Sequence, residues 1–304
     1  MAFGLLMDWI RFVGLGELMA ISSALIFALG QGCIRQGMRT ASPFLSALII
    51  NVMVSLGGIA VSLYRGTLQD ATLIPLLWFV AMGIAGPGIG RISHLIGITK
   101  MGLNRSVTIS SATPIWATLI AIVVLGETPG LSVLIGTVFI VSGVWLLSIR
   151  EDESQSFRAW FRGALIFPLI ASVAYAVAPI FVKLAFAYQK TPGVALAVGF
   201  AAGNVLLIAG KPLLPKWKVE QPLRRDVLWL ITAGGINIMT AFLLTTAFVL
   251  APISTTLPLS RTAPIWVLLV SYLFLGQLER ITWRTVVAAV MVVMGGVLIT
   301  AFRT

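Results

Sequence analysis

Charged side chains within long apolar runs are the residues of this chain most able to bind or neutralise charge. Arg261 lies in one such run, a turn before Pro264, and its guanidinium offers a planar fork of donors that suits a carboxylate or a phosphate. A charge within an apolar segment is costly and is a functional hypothesis by default. We therefore predict that Arg261 binds an anion. Two alternatives stay open: the side chain reaches outward to lipid head groups, or it pairs with Glu17.

A second arginine, Arg91, follows the glycine- and proline-rich sequence GIAGPGIG. Gly83, Pro87, Arg91 and His94 share one helical face by their spacing, and Pro87 would open backbone carbonyls toward a cavity. Counting along the run places Arg91 near its cytoplasmic end, well displaced in depth from Arg261. The pattern thus favours a role for Arg91 at a gate or at the mouth of the cavity over binding of one ligand jointly by Arg91 and Arg261. An interfacial contact with lipid phosphate is the alternative.

His94 and Glu17 complete the predicted gate or mouth residues. His94 is the only histidine and could sense protons, or it could simply be interfacial. Glu17 is the only acid placed to touch the interior of an apolar run, at its outer edge. A positive interior without a central acid favours anionic or zwitterionic ligands over lipophilic cations. One histidine and one cysteine, Cys33, cannot form a metal site, so we expect no metal and no other cofactor.

Two similar segments, about 150 residues apart, carry further candidates. Residues 110–116 read SSATPIW and residues 260–266 read SRTAPIW, so Ser111 in the first copy corresponds to Arg261 in the second. Uncharged polar side chains in and around these segments could contact a ligand or hydrogen-bond between helices. The candidates of this kind, together with the aromatic Tyr175, are Ser110, Ser111, Thr262, Gln31, Asn204 and Asn237.

The duplicated segments also hold matched tryptophans and prolines. Trp116 and Trp266 could stack on a ring-bearing ligand, as could Tyr175, or belong to an interfacial aromatic belt. Pro114 and Pro264 are predicted to kink their helices. With Pro87, they are our candidate hinges.

The composition places all of these residues in a membrane protein. Hydrophobic residues make up 59% and charged residues 10% of the 304-residue chain, and its mean hydropathy is +1.02. A soluble domain carries about 25% charged residues, so a soluble protein is excluded. The net charge of +11 comes mainly from residues between the apolar runs. It indicates membrane orientation and contact with anionic lipid rather than a nucleic-acid partner.

Ten apolar runs are long enough to cross a bilayer, which takes roughly 20 residues. The runs are continuously apolar, whereas the strands of a β-barrel alternate, so we predict helices. The charged segment 150–162 divides five predicted spans from five. The spans are residues 17–36, 44–64, 73–98, 104–125, 130–149, 163–186, 192–210, 227–248, 254–275 and 284–302.

The two sets of five spans align along their length. Trp78 precedes Gly83 as Trp229 precedes Gly234. Because each set has an odd number of spans, the two copies insert with opposite orientation, as in many secondary transporters with a site near the membrane midplane. We predict an all-α integral membrane protein with ten transmembrane helices arranged as two inverted five-helix repeats. Its units are residues 1–149, the polar cytoplasmic linker 150–162, and residues 163–304.

Basic residues are distributed unequally between the two ends of the predicted spans. Four lie at one end, namely Arg11, Arg65, Lys190 and Arg303. Thirteen lie at the other end: Arg39, Lys100, Arg105, Arg150, Arg158, Arg162, Lys211, Lys216, Lys218, Arg224, Arg225, Arg280 and Arg284. Because cytoplasmic loops are enriched in Lys and Arg, the second set is predicted to be cytoplasmic and both termini to lie outside. We expect the plasma (inner) membrane of a prokaryote.

The whole pattern resembles the ten-span, EamA-type members of the drug/metabolite transporter superfamily. The resemblance rests on the segments GRISHLIGITKMGLNRSVTISSATPIWATLIAIVVLGE and MTAFLLTTAFVLAPISTTLPLSRTAPIWVLLVSYLFLGQ, and it covers residues 17–302. It implies that spans 1–4 and 6–9 line a central cavity and that spans 5 and 10 are peripheral. Gln277 departs from the Glu that the family often has there.

These observations together predict a secondary active transporter that exports a small anionic or zwitterionic metabolite, such as an amino acid, by alternating access. A proton-coupled exporter of lipophilic cations and a channel-like facilitator are the alternatives. The sequence contains no HExxH, paired intramembrane aspartates, nucleophile elbow or Walker motif, so we expect no enzyme. The expected partners are a small-molecule substrate and the lipid bilayer, with the chain a monomer or a homodimer.

Overall fold

Helices are the regular elements of the part of the chain that the structure, a computed structural model, describes. The predicted site residues Ser111 and Pro264 lie outside the described residues, as do Gln277 and the side chain of Gln31. The described residues are 14–69, 71–101, 109–110, 112–148, 165–213, 222–263, 265–266 and 283–301.

The helices follow the predicted spans in order. The first-repeat helices are α1 (Leu15–Gly37), α2 (Pro43–Tyr64), α3 (Leu73–Gly83), a π-helix (Ile84–Gly90), α4 (Arg91–Met101), α5 (Thr113–Leu125) and α6 (Leu131–Ser148). The second-repeat helices are α7 (Ile166–Tyr188), α8 (Pro192–Gly210), a 3-10 turn (Lys211–Leu213), α9 (Arg224–Leu250), α10 (Ile253–Ser260) and α11 (Trp283–Ala301). The third span is therefore α3, the π-helix and α4 in succession.

Local sequence signals explain where several helices begin and end. At the start of α2, the Ser42 hydroxyl accepts a hydrogen bond from the Leu45 N–H at 3.2 Å, and Pro43 occupies the first turn. Proline fits there because its missing N–H would have no helical partner. Helix α5 ends at Gly126, whose φ of 66° is a left-handed conformation that glycine adopts without a steric penalty.

Length and surface chemistry confirm that the chain is an integral membrane protein. Within the described residues, six helical segments are long and apolar enough to cross a bilayer, and three shorter apolar helices match further predicted spans. Large apolar side chains face outward, such as Val123 at 82% exposure and Val205 at 69%. Lipid, rather than water, suits such a surface.

Eight of the ten spans form a ring in which the two repeats alternate. Around the ring, α1 contacts α9, α9 contacts α2, α2 contacts α8, and α8 contacts α3. The sequence continues with α3 against α7, α7 against α5, α5 against α10, and α10 against α1. Each of these neighbours joins a first-repeat helix to a second-repeat helix. We call this arrangement the helix ring.

The two remaining spans, α6 and α11, pack against each other beside the ring, and they touch α5 and α10. Their backbones approach closely because both carry glycine at the crossing. A Cβ on Gly136 would lie 2.6 Å from the Gly295 carbonyl oxygen, and the reverse holds at the same distance. Small residues support such crossings in lipid. This position agrees with the peripheral location that the family resemblance implies for spans 5 and 10.

The π-helix coincides with a one-residue difference between the repeats. From Gly83 to Pro114 there are 31 positions, whereas from Gly234 to Pro264 there are 30. The corresponding second-repeat helix, α9, is an uninterrupted α-helix over 27 residues. A π-bulge absorbs one additional residue within an α-helix and is frequent at functional sites. The first repeat thus carries its extra residue in the Ile84–Gly90 segment, just before Arg91.

Glycines let the π-helix pack tightly between two second-repeat helices. On the α8 side, Gly83 lies against the backbone of Gly199, and Pro87 lies against Gly203. On the α7 side, a Cβ on Gly86 would lie 2.9 Å from the Ala178 Cβ. The π-helix, which bears Pro87, is therefore held on both sides by the second repeat.

Candidate functional site

Three side chains, those of Arg91, His94 and Arg261, come together around Tyr175 on α7. The Arg261 Cζ lies 5.9 Å from the centroid of the Tyr175 ring. The His94 ring packs edge-on against the same ring, with the two centroids 6.4 Å apart and an interplanar angle of 64°. Arg91 directly follows Gly90, where a Cβ would lie 2.9 Å from two carbons of the Tyr175 ring. We call Arg91, His94, Tyr175 and Arg261 the Tyr175 cluster.

The Tyr175 cluster lies inside the helix ring. Arg91 and His94 come from α4, Tyr175 comes from α7, and Arg261 directly follows α10. In the ring, α5 stands between α7 and α10, so these two helices are not neighbours. The contact between Arg261 and Tyr175 therefore bridges two helices that are not ring neighbours, which indicates the inner side of the ring. The cluster joins side chains from both repeats.

The four side chains are partly buried, and two of their nitrogens lack partners. The Nε atoms of Arg91 and Arg261 are buried without a hydrogen-bond partner. An unpaired polar group in an apolar environment costs free energy, and an unpaired charge costs more. Partial exposure of the side chains leaves room for a molecule to approach them. The cluster is thus able to bind a small anion.

The depth predicted for Arg91 stays a prediction. Its helix continues to Met101 rather than ending at residue 98, whereas the segment long and apolar enough to cross a bilayer ends at His94, three residues after Arg91. The extra residue in the π-helix also turns α4 relative to a regular helix, by roughly 100°. The face that bears Arg91 therefore differs from the one that regular helical spacing predicts.

Gly90 is a site residue that the sequence analysis did not identify. A Cβ at this position would lie 2.9 Å from both Cδ1 and Cε1 of Tyr175. The absent side chain therefore lets the Tyr175 ring pack against the end of the π-helix. Its place at the end of the GIAGPGIG sequence was a signal, but the sequence does not show that Tyr175 is the partner.

The cluster is asymmetric with respect to the repeats. Counting from the aligned Pro114 and Pro264, Arg91 and His94 correspond to Ala241 and Leu244, and Arg261 corresponds to Ser111. Tyr175 corresponds to Phe27. All four counterparts are uncharged and three of them are apolar, so the repeat architecture by itself does not require the two cations.

Comparisons with known proteins agree with this architecture. The EamA-like transporter family matches the chain over residues 14–149 and again over residues 162–301. The chain belongs to the EamA-like transporter family. This membership confirms the resemblance to the drug/metabolite transporter superfamily and the arrangement as two repeats. A solved structure titled "Crystal structure of protein" has a TM-score of 0.78 and 15% identity, covering 95% of this chain and 96% of its own. That likeness shows the fold alone. A comparison with curated proteins gave no match.

In this EamA-like transporter, the second duplicated segment makes hydrogen bonds of its own outside the cluster. Thr262 donates its hydroxyl to the Leu259 carbonyl at 2.7 Å, and the indole N–H of Trp266 donates to the Thr262 hydroxyl at 3.3 Å. Near the first duplicated segment, the Thr113 hydroxyl donates to the Ser110 carbonyl at 2.7 Å. These contacts stabilise helix ends, and the predicted ligand contacts at Thr262, Trp266 and Ser110 stay predictions.

Trp116 and Pro114 lie near the start of α5. Trp116 lines an apolar groove of about 460 Å³ with Ile166, Val173 and other apolar residues. Pro114 lies in the first turn of α5, Ala112 before it is in a turn, and residues 109–110 are helical. The fourth span is therefore interrupted at Pro114 rather than one regular helix. The ligand contact predicted at Trp116 and the hinge predicted at Pro114 stay predictions.

The predicted asparagines lie on ring helices of the second repeat. Asn237 donates its Nδ2 to the Ala233 carbonyl of its own helix at 2.9 Å. Asn204 on α8 is buried, and its Oδ1 has no hydrogen-bond partner. The fully buried Asn51 on α2 likewise has both amide atoms unpartnered. The ligand contacts predicted at Asn204 and Asn237 remain predictions.

One end of the ring carries charged side chains that cap two helix termini. The Glu127 carboxylate accepts hydrogen bonds from the N–H groups of Ile253 and Ser254 at 2.8 and 3.0 Å. The Lys183 ammonium donates to the carbonyls of Phe248 and Ala251 at 2.7 and 2.8 Å. An anion at the start of α10 and a cation at the end of α9 match the helix dipoles.

Glu17 lies at this same end of the ring. It is 1% exposed in the first turn of α1, and the neighbouring Gly16 packs against Ala251. The position agrees with the outer edge expected for Glu17, and its role as a gate stays a prediction. His94 packs against the Tyr175 ring at the end of the candidate membrane span Leu73–His94, and its predicted roles stay predictions.

Proposed function

We propose that this EamA-like transporter is a secondary active transporter that exports small anionic metabolites by alternating access to the Tyr175 cluster. The observation that carries the proposal is the pair of arginines inside the helix ring. Family membership supports transport of a small molecule across a membrane. The chemistry of the cluster supports the sign of the charge on that molecule.

A guanidinium inside a membrane protein needs an anionic partner or water to offset its lost hydration. Arg91 and Arg261 both carry a buried Nε without a hydrogen-bond partner. Arg261 lies 5.9 Å from the Tyr175 centroid, and Arg91 directly follows Gly90, which packs against the same ring. An anion placed at the cluster would receive hydrogen bonds from either guanidinium. Such charge-assisted bonds are stronger than neutral ones. Arg261 and Arg91 would then orient the anionic group, while Tyr175 packs beside it.

Alternating access fits the location of the cluster and the shape of the third span. The site joins helices of both repeats at the ring interior, as expected for carriers built from inverted repeats. The π-helix breaks the regular hydrogen-bond pattern of the third span beside the site, and such bulges are common where a helix bends in function. We place the carrier in a prokaryotic plasma membrane, with both termini outside, on the distribution of Lys and Arg.

A proton-coupled exporter of lipophilic cations is less well supported, because such a carrier needs a carboxylate in the binding site. Among the described acids, Glu127 caps α10, and Asp226 accepts a hydrogen bond from the Thr40 hydroxyl at 2.7 Å at a helix end. Glu17 lies in the first turn of α1. These three acids lie near helix termini, whereas the cluster holds cations.

Counterflow in proteoliposomes tests the proposal. Vesicles loaded with an unlabelled anion should accumulate the labelled anion from outside if the protein is a carrier, and a panel of mono- and dicarboxylates and organic phosphates would identify accepted anions. Arg261→Gln should reduce the rate for every accepted anion by about tenfold or more, since it removes a charge-assisted contact. The matched control is Arg39→Gln, because Arg39 is exposed outside the ring.

Unchanged counterflow of every accepted anion in Arg261→Gln would contradict the assigned site. Ion conductance without exchange would contradict the carrier mechanism. Transport of lipophilic cations alone would favour the second candidate.

A further inference from the structure

We infer that the ligand of the Tyr175 cluster carries two negative charges, shared between Arg91 and Arg261. This inference rests on the proposed function, which requires only an anion. It goes further by assigning the class of ligand: a small dianion, either an organic phosphate or a dicarboxylate. Both supply oxygen atoms with the geometry that a guanidinium fork binds well.

The first step is that the two arginines act at one place. They come from different repeats, with Arg91 on α4 and Arg261 after α10. Arg261 nevertheless lies 5.9 Å from the Tyr175 centroid, and Arg91 directly follows Gly90, which packs against the same ring. Two like charges that share one site repel each other and lose hydration together. A monoanion would leave one of these positive charges uncompensated, whereas a dianion balances both.

The second step concerns hydrogen-bond donors. The buried Nε atoms of Arg91 and Arg261 are donors without acceptors in the protein. A single carboxylate bound bidentately by one guanidinium has few lone pairs directed at the other. A phosphate ester, or a molecule with two carboxylates, offers enough oxygen atoms for both forks. The arrangement of two guanidinium groups, rather than the number of unpartnered donors, thus favours a ligand whose oxygen atoms can meet both forks at once.

The third step argues against a zwitterion such as an amino acid. An ammonium group at the cluster would meet positive charge, since Arg261 lies over the Tyr175 ring and Arg91 is the second guanidinium of the cluster. The counterparts of the cluster in the other repeat are Phe27, Ser111, Ala241 and Leu244, which offer no carboxylate either. The positive charge is therefore not matched by an acid at the symmetry-related positions.

Pairs of ligands that differ by one charge at nearly equal size test this inference. Succinate is compared with succinamate, and methyl phosphate with dimethyl phosphate, each as a competitor of counterflow by the full-length protein at neutral pH. We expect the dianion of at least one pair to compete about tenfold better than its monoanion or more, corresponding to about 1.4 kcal/mol. The phosphate pair and the succinate pair show separately whether the preferred dianion is an organic phosphate or a dicarboxylate.

Variants locate the preference at the two arginines. In Arg91→Gln and in Arg261→Gln, the ratio between dianion and monoanion should fall toward one, while Arg39→Gln keeps it. Arg261→Lys is the second variant, for the case in which Arg261→Gln fails to fold. It retains the charge, so it should keep part of the preference, but it loses the bidentate fork.

Equal competition by the members of both pairs, or stronger competition by a zwitterionic amino acid, would overturn the dianion and leave the anion carrier intact. An unchanged ratio in both arginine variants would overturn the assignment to these residues. Absence of counterflow with every anion would instead remove the proposed function itself.

Discussion

The contact between Gly90 and the Tyr175 ring shows how a residue without a side chain can organise a binding site. Arg261 lies over the ring face at 5.9 Å from its centroid, and His94 packs against the same ring. The ring therefore fixes the relative positions of groups from three helices. Its own position depends on the space that Gly90 leaves beside it.

Gly90→Ala should weaken anion binding while every charge stays in place. The added Cβ would lie 2.9 Å from two carbons of the Tyr175 ring, so the ring must shift. We expect KM for the transported anion to rise by about tenfold. Gly235→Ala is the matched control, because a Cβ there meets nothing within 4 Å. If the two variants transport alike, Gly90 does not position the ring.

Residue types singled out the members of the Tyr175 cluster before the structure, although not their assembly. Arg261 stood out because charged side chains are rare inside apolar spans, and Tyr175 was named as a ring that could stack on a ligand. The spacing of Arg91 and His94 indicated a helical face shared with Gly83 and Pro87, but counting along an ideal helix cannot reveal the π-helix before Arg91. Gly90 was not distinguishable from the chain's other glycines without its neighbour Tyr175.

At the scale of elements, the junction between α9 and α10 depends on side chains from other helices. The last carbonyls and the first N–H groups of a helix have no partner within that helix. Helix α9 ends at Leu250 and α10 begins at Ile253, so both kinds of unpaired group meet at this junction. Lys183 from α7 supplies donors to the last carbonyls of α9. Glu127, which follows α5, accepts from the first N–H groups of α10.

Lys183→Met should therefore lower the thermal stability of the protein in detergent. It leaves two carbonyls, those of Phe248 and Ala251, without their charged donor, at a cost of about 1–3 kcal/mol. Lys190→Met removes a nearby lysine whose side chain is exposed, and it should leave the melting temperature almost unchanged. Equal melting temperatures for the two variants would show that solvent replaces the Lys183 contacts.

The sequence predicted the positions of the helices more accurately than it predicted the interruptions within the spans. Continuous apolar runs indicated most span boundaries within a few residues, for example Pro43–Tyr64 for the predicted span 44–64. A kink was predicted at Pro114, where a new helix, α5, begins at Thr113, and the sequence did not show that the span is interrupted there. A proline at the start of a helix and a proline that kinks a helix look alike in the sequence. Only the position of the proline relative to the helix start distinguishes them.

At the scale of the whole molecule, the two ends of the ring differ in their contacts as well as in their charge. Glu127, Lys183 and Glu17 lie at one end. Thr40 and Asp226 meet at the other, where Thr40 also accepts a hydrogen bond from the Leu223 N–H at 3.2 Å. The positive-inside rule predicts that the Thr40 end faces the cytoplasm.

Thiol labelling in intact cells measures this orientation. In a Cys33→Ser background, which removes the single native thiol, a membrane-impermeant maleimide should label Lys190→Cys from outside. Arg39→Cys should react only after the cells are permeabilised. Both positions are exposed in the structure, so accessibility alone does not bias the comparison. The reverse labelling pattern would place both termini in the cytoplasm.

The repeats and the helical fold were predictable because duplication and apolar length are visible along a single chain. The order of helices around the ring was not. Apolar side chains are compatible with lipid and with other helices alike, so hydropathy does not say which helices are neighbours. Close glycine contacts, such as Gly83 against Gly199, determine those neighbours in three dimensions.

The alternation of repeats around the ring has a consequence for biogenesis. During synthesis, the first five spans enter the membrane before the second five exist, yet the ring neighbours of α1, α2, α3 and α5 all come from the second repeat. The first-repeat spans must therefore remain in the bilayer without their final helix contacts until the second repeat has inserted. Neither half of the chain can mature alone, and two halves produced as separate polypeptides should reconstitute the carrier only when both are present in one membrane.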